Sequence, residues 1–364
     1  MTKVKISNIT INLDNKRKPL NGEDRSKISI EKKYPYCGAN NIMDYVDEYL
    51  FDEEIICIAE DGGKWGADET CSYIMNEKCW INNHAHVLKV LDTNCTDIRY
   101  LKYWLNHKDL NGIITGAIVK KLTQKALNDI EIDIPSIEEQ RNISNKLDTI
   151  SNLIEYKKNQ ILKLNELIKS QYVEMFGDVE NNSNNYGIVN LSDIADYWNG
   201  LTYKPANIVE NGGTIVLRSS NIQESKIDYS DIVRVDCNIP EKKYVNTNDI
   251  LMCSRNGSAR LVGKVALIPN TESRMSFGAF MMIIRSKYYP YLFTYFQTNA
   301  FRKQISTGAT TTINQITTNM MNKVKLPLPP IDKIGEFSKI LKQIDKQKFV
   351  NLKIFQLLGK KLKK

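Results

Sequence analysis

Residues 136–176 read SIEEQRNISNKLDTISNLIEYKKNQILKLNELIKSQYVEMF, and the spacing of their apolar side chains sets the architecture of the whole chain. Its apolar residues Ile143, Leu147, Ile150, Ile154, Ile161, Leu164, Ile168, Tyr172 and Met175 recur in steps of three and four, with one turn skipped at Lys157. That is one stripe along a helix that packs against another helix. Pro135 stands just ahead, and Ser136 followed three residues later by Glu139 fits a capping box. No Pro or Gly interrupts the run before Gly177. A helix over 136–176 would be roughly 60 Å long, more than one globular core needs.

A partner for the stripe lies at the other end of the chain. Residues 331–364 form a second helical pattern, with Ile334, Phe337, Leu341 and Ile344 on one face; the stripe then slips and resumes through Leu352, Phe355 and Leu358. A strand-like stretch precedes each helix, Ile132-Asp133-Ile134-Pro135 and Leu326-Pro327-Leu328-Pro329-Pro330. Placing Ile137 on Ile331 also brings Leu147 onto Leu341 and Ile150 onto Ile344.

With the helices in register, the preceding segments match as well. Val4-Lys5-Ile6-Ser7-Asn8-Ile9 parallels Val189-Asn190-Leu191-Ser192-Asp193-Ile194, and Arg17-Lys18-Pro19 falls opposite Tyr203-Lys204-Pro205. The buried-strand patterns at 54–59 and 249–254 each run into a Gly-containing turn, Asp61-Gly62-Gly63 and Asn256-Gly257-Ser258. Apolar strands at 85–91 and 279–284 lead into amphipathic helices at 97–107 and 291–305, and then into Thr115-Gly116-Ala117 and Thr307-Gly308-Ala309. Generic strand–turn–helix patterns can match by chance, but here five landmarks keep nearly constant spacing. The expected fold is therefore α+β and duplicated. A mixed α/β domain at 1–135 is followed by a long helix at 136–176 and a polar linker at 177–187. A second such domain at 188–329 is followed by a second long helix at 330–364. Antiparallel, coiled-coil-like pairing of the helices would relate the halves by an approximate two-fold, a geometry suited to a target with two half-sites.

The composition of the 364 residues, 42% apolar and 25% charged, is that of a folded protein. No signal-peptide pattern opens it and no run of 18 apolar residues occurs, so a cytoplasmic protein without a membrane anchor is expected. Seven scattered cysteines with no C-x-x-C pair read as reduced thiols. The net charge of +8 is concentrated at one end: residues 331–364 hold ten lysines against Asp332, Glu336 and Asp345, which leaves +7. Such a face suits a polyanion, yet a Lys-rich helix is more often simply solvated.

Catalytic machinery is missing from the sequence. Nucleophile elbow, phosphate loop and dinucleotide fingerprint are all absent. His84-Ala85-His86 would place two rings on one side of a strand, but no ligand spacing completes a metal site, and one buried, hydrogen-bonded ring is the plainer reading. Glu241-Lys242-Lys243 has the E-x-K form of some nucleases without the preceding Asp strand. No metal is expected.

The loops look more like a binding surface. In the second domain Ser254, Arg255, Asn256, Ser258, Arg260 and Lys264 surround Gly257 and Gly263, and Thr310, Thr311, Asn314 and Gln315 add hydroxyls and amides. Arg can take guanine O6 and N7 together, and Asn can take adenine. The matching residues of the first domain are Lys64, Trp65, Lys120, Lys121 and Thr123, with Lys18 and Lys204 opposite one another near the domain starts. Solvated polar loops with no ligand remain the alternative on composition alone.

The repeated unit resembles the specificity subunit of type I restriction-modification systems. Ile134-Pro135-Ser136-Ile137-Glu138-Glu139-Gln140 is similar to that family's entry to its conserved helix. The run from Asp249-Ile250-Leu251 through Asn256-Gly257-Ser258 to Gly263-Lys264-Val265-Ala266 is similar to its central strand–turn–strand, and Thr307-Gly308 falls near the end of a recognition domain. Asp332-Lys333-Ile334 departs from the Glu-Glu-Gln pattern in the second copy. The resemblance implies a non-catalytic subunit whose two domains each read one half of a gapped, bipartite site in double-stranded DNA, with helix length as the ruler. Two adenine methyltransferase subunits would dock along the helices at Ile143, Leu147, Ile150, Ile154, Ile161, Leu164, Phe337, Leu341, Ile344 and Leu352, and an ATP-driven restriction subunit would join them. S-adenosylmethionine, ATP and Mg would then belong to the partners, not to this chain, and the target adenine would leave the stack to be methylated. A protein-interaction scaffold built on a coiled coil is the competing reading.

Overall fold

Apolar runs that lack alternation become strands covered on both faces. In the computed structural model, which describes residues 2–271, 273–305 and 315–362, the first domain contains β1 (Thr2–Lys5), β2 (Thr10–Asn12), α1 (Gly22–Lys27), β3 (Tyr34–Gly38), β4 (Asn41–Val46), β5 (Ile55–Ala59), β6 (Ser72–Met75), β7 (Trp80–Ile81), β8 (Ala85–Val90), α2 (Ile98–His107), α3 (Gln124–Asn128) and β9 (Glu131–Ile134). The helix α4 (Ile137–Phe176) follows. Strand β5, IICIA, is buried throughout and central in the sheet β2-β8-β5-β6. Because side chains alternate along a strand, Ile56 and Ile58 join Leu101 and Leu105 of α2 in one core, while Ile55 and Cys57 join Phe51, Tyr73 and Val87 in another.

The second domain repeats the plan with β10 (Ile188–Asn190), α5 (Leu191–Ile194), β11 (Asp196–Asn199), β12 (Ile208–Val209), β13 (Thr214–Leu217), β14 (Ile222–Gln223), β15 (Lys226–Ile227), β16 (Val233–Val235), β17 (Ile250–Cys253), β18 (Val265–Leu267), β19 (Met275–Phe277), β20 (Met281–Arg285), α6 (Tyr289–Tyr295), α7 (Asn299–Ile305), α8 (Thr318–Met321), β21 (Lys325–Pro327) and α9 (Ile331–Leu362). Its sheet β11-β20-β17-β18 has the antiparallel order of β2-β8-β5-β6, and Ile250 pairs with Ile284 as Ile56 pairs with Leu88. Strands β10 and β21 pair as β1 and β9 do. A further sheet in each domain holds a parallel pair, β3 with β7 and β13 with β19, beside an antiparallel neighbour, β4 or β16. The fold is α+β with one domain used twice.

One expected helix is broken. Instead of a single helix over 291–305 the chain forms α6 and α7, because the Thr298 hydroxyl donates to Tyr295 O (2.7 Å) and accepts from Phe301 N–H (3.3 Å), ending one helix and starting the next. The linker at 177–187 is also more ordered than its polar composition implies. Gly177 takes φ +73° after the last turn of α4, where a Cβ would meet Ser183 Oγ at 2.3 Å. Ser183 Oγ accepts from Asp178 N–H (2.8 Å), and Asn182 both donates to and accepts from the Tyr186 backbone.

The chain divides into two compact units, Met1–Lys158 with Leu352–Lys364, and Asn159–Asn351. In the first, Ser136 Oγ accepts from Glu139 N–H (3.3 Å) at the start of α4. The buried Gln140 side chain accepts from Asp97 N–H (2.9 Å) and donates to Cys95 O and Pro135 O (3.0 Å each). Arg99 and Tyr103 of α2 reach Asp148 at 2.9 and 2.6 Å. In the second unit the end of α4 packs on the start of α9: Phe337 meets Tyr172 and Phe176 at ring distances of 5.7 and 5.2 Å. Ile334, at the position corresponding to Gln140, is buried in that apolar cluster, so the departure from the Glu-Glu-Gln pattern swaps a polar anchor for an apolar one.

Of the expected helix stripes, Ile143, Leu147, Ile150, Ile154, Ile161 and Leu164 are half-buried, and Phe337, Leu341 and Ile344 are buried. Leu352 is not on the stripe. It is 40% exposed, and the line from Ile344 continues through half-buried Lys348 to buried Asn351, the positions that steps of four and three reach. A second set, Leu153, Tyr156, Leu162 and Leu167, lies exposed along α4. No helix among the described residues is long and apolar enough to cross a membrane.

Candidate nucleic-acid interface

Backbone pairing joins the loops singled out in each domain. In the first, Leu122 N–H donates to Glu60 O (2.8 Å), Asp61 bridges to Lys121, and Thr115 and Lys121 exchange two bonds of 3.0 and 2.8 Å. The turn at 61–66 and the segment at 115–125 therefore form one surface. In the second, Ile316 N–H donates to Ser254 O (2.7 Å) and Arg255 bridges to Gln315. The two joints correspond residue for residue. So do the caps that follow: Thr123 Oγ1 accepts from Ala126 N–H, and Thr317 Oγ1 from Met320 N–H, each at 3.2 Å.

A polar cluster holds the first surface from beneath. His86, buried, places Nδ1 2.6 Å from Asp14 and Nε2 2.8 Å from Leu122 O. Arg17 lies between the carboxylates, 2.6 Å from Glu60 and 3.3 Å from Asp14, and Lys121 reaches Glu60 at 2.6 Å. Burial works against ionising Glu60, but the hydrogen bonds from Lys121 and Arg17 outweigh it and hold the carboxyl below its ordinary value. Burial likewise opposes Asp14, and the bonds from His86 and Val87 N–H prevail. Asp14, Glu60 and His86 bring three ligand atoms within 4.8 Å of one another. Arg17 and Lys121 already supply the cations, so the donor set does not suit a metal ion. The two histidines divide as the plainer reading has it: His86 is the buried, hydrogen-bonded ring, and His84 bonds Asp61 at 2.7 Å on the surface.

Several candidate residues turn out to be parts of the scaffold. Trp65 is 3% exposed and its indole N–H donates to Ala59 O (3.2 Å), so it is core and cannot reach a base. The Thr123 hydroxyl is spent on its helix cap. Ser254 is buried, its hydroxyl donating to Phe280 O, and Lys264 donates to Ile222 O (3.2 Å). Lys121 is tied to Glu60, a bond that raises its pKa. Lys18 is exposed beside the Trp80 ring. Lys64, Lys120, Lys204, Arg255, Ser258, Arg260 and Gln315 are exposed and Asn256 is half-buried. Thr310, Thr311 and Asn314, with Thr307-Gly308, lie outside the described residues.

The second surface opens a cleft of about 1090 Å³, where Arg255, Asn256, Arg218, Asp231, Tyr203 and Phe280 meet. The Arg255 guanidinium sits 5.3 Å over the Phe280 ring, Arg218 pairs with Asp231 (2.8 Å), and Asn256 donates to Ser219 Oγ (3.1 Å). Sequence reasoning missed Arg218 and Phe280. Arg218 follows β13, which reaches the site only through its parallel pairing with β19, and a single Arg in Leu217-Arg218-Ser219 carries no local signal. Phe280 could have been noticed as an aromatic in a turn; it is 60% exposed.

Taken together, these features define a protein with two copies of one domain, each presenting a polar loop surface and each continuing into a long helix. Comparison with known proteins places that class. The model of the type I restriction modification DNA specificity domain matches residues 2–166 and 183–355, and the chain belongs to that family. A Haemophilus influenzae protein assigned as a type I restriction enzyme specificity subunit is 33% identical over 141 residues, 39% of this chain and 35% of its own length. The MjaVIII specificity subunit of Methanocaldococcus jannaschii is 23% identical over 351 residues, 87% of this chain and 80% of that protein. The crystal structure of the type I restriction-modification S subunit from M. genitalium aligns with a TM-score of 0.63 at 16% identity, covering 99% of this chain and 95% of that one. The chain spans about a third of the length of the Haemophilus relative.

Proposed function

We propose that this chain is the DNA-reading, non-catalytic subunit of a type I restriction-modification complex, each domain reading one half of a bipartite site. The observation that carries the reading is the duplicated joint, Glu60 with Leu122 and Ser254 with Ile316, which presents loops of different chemistry on the same frame. A frame used twice with variable loops suits a target in two parts. Two methyltransferase subunits dock along α4 and α9, for which the exposed apolar residues Leu153, Leu162 and Leu167 of α4 and Leu357 of α9 offer surface. S-adenosylmethionine belongs to those partners, ATP and Mg to a restriction subunit, and the complex works in the cytoplasm.

The test is a salt titration of DNA affinity for the chain co-assembled with its methyltransferase. Affinity falls steeply as salt rises, through counterion release from phosphates. Affinity absent even at low salt contradicts the reading and favours a protein scaffold. Within the cleft, Arg255→Ala weakens binding to the cognate half-site by about 1–3 kcal/mol, with the loss confined to cognate sequence, as expected of a base contact. Arg260→Ala, measured beside it, weakens cognate and random duplexes alike if Arg260 rests on phosphate.

A further inference from the structure

One apolar feature of the first domain is used by nothing in the fold. Ile118 is 98% exposed and Val119 63%. They stand at the tip of a short loop whose base is held firmly: Thr115 and Lys121 exchange both backbone bonds, Lys121 bridges to Asp61, and its ammonium is paired with Glu60. Gly116 takes φ +100°, and a Cβ there would lie 2.0 Å from Val119 O, so the turn is tight as well as anchored. Two adjacent branched side chains are thus pushed into solvent by a stiff mount.

The surroundings indicate what covers them. Residues 110–128 contain three lysines and no carboxylate. Lys120 adjoins the tip and Lys64 lies on the loop joined to it through Asp61; neither has an acidic partner among the described residues. Apolar tip and unpaired cations side by side complement a duplex, whose phosphates flank stacked, apolar base faces. By sequence, Thr115 lies six residues before Lys121, whereas Thr307 lies eight before the corresponding Gln315. The stretch that carries the tip therefore differs in length between repeats, as befits a contact with different half-sites.

We infer that Ile118 and Val119 make a direct apolar contact with the bases of the half-site read by the first domain. This rests on the DNA-reading function proposed above. The apolar surface met could be an opened base-pair step, with the tip as a wedge that kinks the duplex, or a thymine methyl in the major groove.

The experiment uses the chain assembled with its methyltransferase and duplexes carrying the methylated site. Ile118→Ser combined with Val119→Ser leaves assembly intact and lowers DNA affinity by about tenfold, the low end of what one disrupted base position costs in a specific duplex site. The salt dependence stays as in the wild type, whereas Lys120→Gln makes its slope shallower by about 0.9. 2-Aminopurine placed along the half-site brightens at one step in the wild type and not in the double variant if the tip is a wedge. Uracil for thymine at one position reproduces the affinity loss if it meets a methyl. Unchanged affinity in the double variant overturns the inference. So does loss of methyltransferase assembly with DNA affinity retained, which would mark the tip as a protein contact. A wild-type complex that binds no DNA at any salt instead removes the function on which the inference rests.

Discussion

Phe337→Ala lowers the free energy of unfolding by about 3–5 kcal/mol, the cost of deleting a fully buried aromatic ring from a site that cannot collapse around the void. Phe337 is 0% exposed and touches Tyr172 and Phe176 from the last turns of α4, with Tyr291 of α6 packed edge-on against Phe176 at 5.1 Å. Three helices separated in sequence thus meet on one ring cluster. The loss appears as a lower denaturant midpoint with unchanged slope. Phe337→Leu, which keeps most of the volume, costs about 1.5 kcal/mol or less. A small effect from the alanine variant would mean that α4 and α9 are not held together here.

Gln140→Leu is the second large effect, and its origin is different. The leucine fits the space, but Asp97 N–H, Cys95 O and Pro135 O each lose a partner. Unpaired buried backbone groups cost more than the hydrogen bonds themselves contribute, so the variant loses about 2–4 kcal/mol in thermal or denaturant unfolding. Ile334 at the corresponding position does no harm because its neighbours are Tyr291 and Phe337, not open backbone groups. The reciprocal change Ile334→Gln is therefore also destabilising, since the amide would be buried without partners. If Gln140→Leu were neutral, the anchoring role of Gln140 would be wrong.

Much of the fold was legible because its signals are local and repeated. The three-and-four spacing from Ile143 to Met175 marks α4, and matching Ile137 with Ile331 exposes the duplication without any pairing information. What escaped depended on contacts distant in sequence or on a single side chain. The break between α6 and α7 turns on one Thr298 hydroxyl. The shift of the stripe from Leu352 to Asn351 places a polar residue where hydropathy alone favours leucine. At the candidate surface, periodicity could nominate the loops but not sort their members. Trp65 and Lys64 are neighbours, yet one is core and the other solvent, as the fold of a Gly-containing turn decides. Arg218 became visible only when the parallel pairing of β13 and β19 carried it to Arg255.

Exchange of one whole domain tests most directly whether each repeat reads its own half-site. Residues 1–135 are replaced by the corresponding domain of a family member with a different specificity, the chimera is co-expressed with the methyltransferase, and methylated adenines are mapped across a genome. One half of the recognised sequence should change, with the other half and the gap between them kept. Change in both halves, or in neither, would contradict a chain in which each repeat reads its own part of the site.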